Sequence, residues 1–384
     1  MDSASSTNLV AERLLQVIDE GQRTATYKLA LLLALIDASA EAVAADGSAP
    51  TEVHTRVIAE HVMRLYYPQV RPYVAYSGGS QRTGSLRTDG GPTGSAADTG
   101  LVLRQITNKK SVTVNAVYRF HLVAGGSSLD RARSVHPAEF DRCLDAIEVN
   151  FARYPIRLLQ VVGKQALPFL YDVDWNQSVS LRTLHAPGGG MVRFRPSAAD
   201  ELLRLAPLIR PLVELHWTRE VAKWNGLDLE GEQLRTHLFG SERAPFPKNL
   251  RSALVELQSH ECFYCRDRLG RAVEVDHFLP WSRWPNDAVE NLVAADRSCN
   301  NNKRDHLTGT SLVDRWATRF VSIKDDLATV ADGAGWLSAP HRTLNLLRAG
   351  YAHVPDGTPL WLGVDEMAIE NLASIRERLS LITT

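Results

Sequence analysis

The sequence predicts an α+β protein that is mainly helical. Three observations carry that prediction. Apolar residues recur at helical spacing over most of the chain, as in "KLALLLALID" and "SAADELLRLAPLIRPLVELHWTREVAKW". Strand-like segments are few and short: Ile156 to Tyr171, and Met191 to Phe194 after a run of glycines. One stretch, "ECFYCRDRLGRAVEVDHFLPWSRWPNDAVENLVAADRSCNNNKRDHL" from Glu261 to Leu307, drops the helical period and gathers cysteine, histidine, aspartate and asparagine.

The 384 residues suggest two or three domains of ordinary globular composition. Residues 1–7 predict a frayed start, and 8–46 a helix around the apolar run Leu29 to Ile36. Thr51 opens an amphipathic helix that Pro68 ends, closing an N-terminal helical region over 1–72. Residues 73–240 form an α+β middle region. It starts with a Gly, Ser and Thr-rich mobile loop at 74–99 and includes a long helix over 197–226, where Pro207 and Pro211 imply kinks or a break. A short helix from Lys248 to Ser259 leads into the cysteine cluster. A C-terminal helical segment follows over 311–384, with loops at Gly333–Gly335 and Pro355–Gly357.

Lysine and arginine number 43 against 44 acidic residues, a net charge of -1. No global basic signature of nucleic-acid binding exists, and a basic surface must be local. Residues 82–134 are the most lopsided, with Arg82, Arg87, Arg104, Lys109, Lys110 and Arg119 among them. Such a run is usually a solvated face; the functional alternative is a non-specific grip on nucleic acid beside the site. The run Leu29 to Ile36 is far too short to span a membrane, and three of the four cysteines (Cys143 is the other) are clustered, which disfavours a disulfide scaffold. The clustering fits a reducing cytoplasm, and the apolar run reads as a buried helix.

Cys262-x-x-Cys265 has the spacing at which a tight turn brings two thiolates onto one zinc ion, and Cys299 is the natural third ligand. A second knuckle would place the fourth at Asp296, a harder and weaker donor. Three states follow: Asp296 completes the site, His260 or His306 completes it, or the knuckle holds no metal. The Asp276-His277 pair ends an apparent strand, with Pro280 beyond it. Neighbours on a strand point to opposite faces, so the two meet at one site only where the backbone twists or leaves the strand. An aspartate with an asparagine carbonyl suits a hard cation, and a neutral imidazole suits taking a proton from water.

Singly these residues are weak signals. Together, "CFYC", "EVDHFLPWS", "ENLV" and "DRSCNNNK" resemble the HNH endonuclease family with its ββα-metal fold, in the zinc-knuckle branch typical of bacterial restriction-type nucleases. The resemblance implies an HNH nuclease domain over 241–310. It implies His277 as general base, Asp276 and Asn300 as ligands of catalytic Mg2+ or Mn2+, and Asn291 as the residue that ties the loop and orients the histidine. Lys303, one helical turn after Asn300, reaches a phosphate or is solvated. More softly, "TATYKLALLLALIDASAE", "VMRLYYPQVRPY" and "LLRLAPLIRPLVELHW" resemble bacterial HNH proteins of uncharacterised or defence-associated type. The expected function is cleavage of DNA in restriction or anti-phage defence, by a homodimer or with a partner defence protein. The alternatives are an RNA-directed nuclease and a nucleic-acid-binding HNH protein that no longer cuts.

Overall fold

From Leu29 to Ile36 the sequence has no polar side chain, so a helix built from it must be covered on every side. All eight of these residues are fully buried. The structure, a computed structural model, describes residues 3–19, 24–73, 76–77, 80–81, 102–107, 111–162, 165–227, 232–240 and 246–383. The chain divides into two units, residues 1–38 with 51–242 and residues 39–50 with 243–384. The protein is α+β and mainly helical.

The first unit begins with α1 (Ser3–Asp19) and α2 (Tyr27–Glu41), whose last three residues fall in the second unit. The expected single helix over 8–46 is therefore two. Between them Ala25 bridges to Ile106 and Thr26 donates its amide to Gln105 O at 3.1 Å, contacts distant in sequence. Next come β1 (Glu52–His54) and α3 (Thr55–Tyr66). The sequence places the helix start at Thr51, but residues 52–54 pair with a later strand. The cap is instead His54, whose Nδ1 accepts the Arg56 amide at 3.0 Å.

The hairpin of β2 (Tyr76–Ser77) and β3 (Ser80–Gln81) leads to α4 (Val112–Val123), α5 (Leu129–Val135), α6 (Pro137–Arg153) and α7 (Pro155–Leu158). Two-residue strands follow: β4 (Val161–Val162) pairs with β5 (Gln165–Ala166), and β6 (Tyr171–Asp172) stands apart from both. After α8 (Leu181–Leu184), β7 (Met191–Phe194) completes an antiparallel sheet in the order β1-β7-β6. The long α9 (Ala198–Asn225) packs on α1 and precedes α10 (Glu232–Phe239). α9 runs unbroken through Pro207 and Pro211. Each proline removes one backbone bond, and the buried stripe Leu202, Ala206, Ile209, Val213 and Trp217 holds the helix in place. The rest of the 74–99 loop, with Arg82 and Arg87, lies outside the described residues, and so do Lys109 and Lys110. Arg104 and Arg119 belong to the first unit.

The second unit holds α11 (Lys248–Leu257), β8 (Val273–His277), β9 (Leu292–Asp296) and α12 (Arg297–Lys303). α13 (Thr310–Ser322), α14 (Lys324–Ala334) and α15 (Pro340–Ala352) follow, then a hairpin of β10 (Pro359–Gly363) and β11 (Glu366–Ile369), and α16 (Leu372–Ser380). β8 and β9 are antiparallel, in register from Val273↔Asp296 to His277↔Leu292, so β8, β9 and α12 form a ββα unit. Val275 packs with Leu250 and Leu254 of α11 and with Leu327 and Ala331 of α14. The β10–β11 hairpin was not expected; it docks through backbone bonds from Trp361 N to Leu307 O (2.8 Å) and from Gly309 N to Trp361 O (2.9 Å). Residues 39–50 join this unit at Glu41, whose carboxylate accepts from Arg342 Nε (2.5 Å) and whose carbonyl accepts from Asn345 Nδ2 (2.8 Å).

In the first unit Trp217 is fully buried, donates Nε1 to Gln105 Oε1 at 2.7 Å, and packs on Tyr66 and Phe239. Trp217→Ala should lower stability by about 3–5 kcal/mol, the usual range for emptying a large core site, as read by urea denaturation.

Candidate active site

The site begins at the cysteine turn. Cys262 donates its amide to Asp267 O (2.8 Å) and accepts the Arg266 amide on its carbonyl (3.0 Å); Arg266, at φ +66°, turns the chain back. Phe263 N bonds Ala294 O at 3.0 Å and so ties the turn to β9. Cys299 lies in the first turns of α12. The sulfurs of Cys262, Cys265 and Cys299 fall within 4.8 Å of one another, and among the described residues they make up the one convergence of three or more His, Cys, Asp or Glu side chains that could hold a metal ion. Asp296 is close in sequence but uses its carboxylate as the N-cap of α12, accepting from Ser298 N (2.8 Å) and Ser298 Oγ (2.7 Å). Neither Asp296, His260 nor His306 joins the three sulfurs.

Three soft donors at this spacing fit zinc. Burial and then the neighbouring thiols push the Cys299 thiol up to about 12, and burial also raises Cys265. These shifts keep the thiols protonated where no cation lies among them, and a zinc ion bound there would hold them as thiolates.

β8 presents two faces. Glu274 and Asp276 face α12: Glu274 accepts from Asn300 Nδ2 (2.6 Å) and Arg297 Nε (2.9 Å). Asp276 Oδ2 meets the Lys303 ammonium at 3.0 Å and accepts the Tyr264 hydroxyl at 2.6 Å. Lys303 is fully buried and also donates to His277 O at 2.8 Å. Burial lowers its pKa, and the Asp276 charge opposes that shift. The Lys303 side chain therefore reaches neither solvent nor an exposed phosphate position. Burial, with Asp276 beside it, pushes the Tyr264 phenol far up, which keeps it a hydrogen-bond donor. Asn300 uses only its amide nitrogen, and Asp276 mainly Oδ2, so an oxygen of each remains as a hard donor suited to Mg2+ or Mn2+.

His277 leaves the opposite face. Its Nε2–H donates to Asp287 Oδ1 at 2.7 Å, and its ring lies 5.8 Å from that of Phe246. Asn291 is fully buried and saturated: Oδ1 accepts Leu279 N (2.8 Å), while Nδ2 donates to Leu279 O (3.1 Å) and Asn286 O (3.0 Å). It thus cross-ties the loop that leaves β8. The outer side of α12 opens on a cavity of about 320 Å3, lined by Ser298, Asn301, Arg304, His306 and Asp365 among others.

The structure thus brings together the three cysteines, joins Asp276 to Lys303, and sets Asn300 on the Asp276 side through Glu274. It does not bring His277 onto that face, because strand pairing persists to the His277↔Leu292 pair. Three partners escaped the sequence reading. Glu274 was recoverable, since residues two apart on a strand share a face. Tyr264 and Asp287 reach their partners from loops and leave no periodic signal.

Residues 262–308 match the family model of the HNH endonucleases, and residues 7–238 match that of a domain of unknown function, DUF8808. The second match covers more than half of the chain. The chain belongs to the DUF8808 family. Its DUF8808 region is followed by an HNH endonuclease domain, which contains every cysteine of the cluster together with Asp276, His277, Asn291 and Asn300. The chain is also similar to the Septu protein PtuB of Bacillus thuringiensis, 37% identical over 62 residues, 15% of this chain and 24% of that protein. It therefore spans about a quarter of that relative's length. No solved structure matches. Among the described residues no helix is long and apolar enough to cross a membrane.

Two outcomes follow from this geometry. Cys262→Ser should lower both the zinc content found by elemental analysis and the melting temperature; unchanged values of both would show a cluster that holds no metal. Asn291→Ala strands the Leu279 amide and two carbonyls, at about 1–3 kcal/mol for each buried unsatisfied group, and should lower the denaturation midpoint before any effect on nucleic acid is measured.

Proposed function

We propose that the HNH domain of this DUF8808 protein hydrolyses phosphodiester bonds in DNA with the help of Mg2+ or Mn2+, in restriction or anti-phage defence. The observation that supports this best is the disposition of groups at the end of β8. In-line displacement at phosphorus needs the attacking and departing oxygens on opposite sides. Asp276 and Asn300 offer oxygens on one face of β8, and His277 is held by Asp287 at the last pair of the strand, so the two sides meet on one phosphate only when substrate binding draws His277 round the strand end.

On the His277 face, Asp287 accepts the Nε2–H hydrogen bond and fixes the tautomer, so Nδ1 keeps its lone pair to accept a proton from water. Asp287 then stabilises the imidazolium as it forms. On the other face, Asp276 and Asn300 supply oxygen ligands. A bound divalent cation there would offset charge on the phosphate and the departing oxygen. Asn291 holds the loop against β8, which keeps His277 in place. Lys303 balances the charge of Asp276 and holds α12 across the strand. The three cysteines, with zinc, pin the turn to α12 as a structural clamp.

Arg304, His306 and Asn301 line the cavity beside Asn300 and suit the backbone of a flanking nucleotide, since such contacts position the strand without reading its sequence. The likeness to the Septu protein PtuB supports a role in anti-phage defence. One site cuts one strand, so a double-strand break takes a second copy, a partner protein or a second encounter.

The test is incubation of the full chain with Mg2+ and supercoiled, linear, modified or single-stranded DNA, and RNA. Nicked or linear DNA is expected, lost on chelation. Cleavage of RNA alone would reassign the substrate, and DNA binding without cutting would make the domain a binding module. His277→Ala should cut at a rate lower by a factor of about 100 or more, the usual scale for loss of a general base, with its circular dichroism unchanged. A wild-type rate in that variant removes His277 from the mechanism.

A further inference from the structure

We infer that Tyr264 is a positioning residue for the divalent-cation site, tethering Asp276 to the cysteine turn so that the state of the three-sulfur cluster sets how tightly Asp276 and Asn300 hold a cation. The inference rests on the reading of Asp276 and Asn300 as ligands and adds a role that the HNH motif does not assign.

Tyr264 lies inside the Cys-x-x-Cys turn, two residues after Cys262 and one before Cys265. Its side chain is 5% exposed. The ring is held edge-on between Trp361, at 5.1 Å, and Phe263, at 5.3 Å. The backbone below it is equally fixed, because Arg315 Nη1 donates to both Phe263 O and Tyr264 O at 2.5 Å. The phenol therefore moves only if the turn moves. Its hydroxyl meets Asp276 Oδ2 at 2.6 Å, the same oxygen that meets the Lys303 ammonium at 3.0 Å. Two donors on one carboxylate oxygen stop the group from rotating and aim the other oxygen away from both. Glu274, two residues earlier, holds Asn300 on that same side. The chain of contact from sulfur cluster to cation ligand is a single side chain long.

Partners that orient metal ligands typically carry a factor of about 10–100 in metal affinity. Phenylalanine keeps the packing of the ring and removes only the tether. A purely structural tyrosine would alter the melting temperature and leave cation affinity alone, so affinity is the discriminating readout.

The experiment is a titration of the full chain with Mn2+, without nucleic acid, following free Mn2+ by electron paramagnetic resonance in wild type, Tyr264→Phe, Cys265→Ser and Asp276→Asn. Circular dichroism checks the fold at the titration temperature. Asp276→Asn should abolish the site, and Tyr264→Phe should weaken it by a factor of about 10 or more. Cys265→Ser, which loosens the exposed end of the turn, should weaken it in the same direction. It also carries the test alone should the phenylalanine variant fail to fold. Wild-type affinity in a folded Tyr264→Phe, or in Cys265→Ser when that variant stands alone, with the site lost in Asp276→Asn, overturns the tether and leaves the ligand assignment standing. Equal Mn2+ binding by wild type and Asp276→Asn removes the ligand assignment, and the tether with it.

Discussion

A lysine ammonium buried beyond the reach of water must be answered by its surroundings, and the surroundings of Lys303 are the proposed active site. Its two partners are the Asp276 carboxylate and the His277 carbonyl, adjacent residues at the end of one strand. Desolvating an unpaired ammonium would cost several kcal/mol, so α12 has little freedom to slide along β8. Asn300 sits one turn earlier on the same helix and inherits that position. A single charge pair thereby sets the register between the strand that carries the proposed base and ligand and the helix that carries the second ligand.

Around this pair the fold adds polar side chains that close off the backbone of the ββα unit. α13 supplies three of them: Arg315 to the carbonyls of the cysteine turn, Trp316 Nε1 to Glu290 O at 3.0 Å, and the buried Arg319 to Leu292 O at 3.0 Å. Glu290, itself buried, accepts from Ser338 Oγ (2.5 Å) and Ala339 N (3.0 Å), between α14 and α15. The segment after the HNH motif is thus part of its scaffold. The short ββα unit has too little apolar surface to order these loops alone, and the helices that follow complete it.

The parts legible in the sequence were those that rest on local pattern. The long helix over 197–226, the short helix before the cysteines, the strand ending in Asp276 and His277, and the convergence of three cysteines all follow from spacing. The parts that escaped depend on distant partners. The Glu52–His54 strand exists because Met191–Phe194 pairs with it, and nothing in Glu-Val-His marks it out from a helix start. The β10–β11 hairpin is a few residues long and gains its place from Leu307 and Gly309. At the site, the chemistry-bearing types were visible, but their allocation to the two faces of β8 was not. A burial of Lys303 in place of solvent exposure can only be read once α12 is seen to lie across the strand.

The second unit is assembled from two pieces of chain, and Glu41 is where they meet, through Arg342 and Asn345. During synthesis the first piece leaves the ribosome long before its counterpart exists. Residues 51–242 occupy the interval and can fold while it lasts. Closing a loop of that length in a disordered chain carries an entropy penalty that grows with the logarithm of its length. A folded insertion shortens the effective loop to the distance between its own ends. Completion of the HNH-containing unit would then wait on the DUF8808 region, a vectorial order built into the path of the chain.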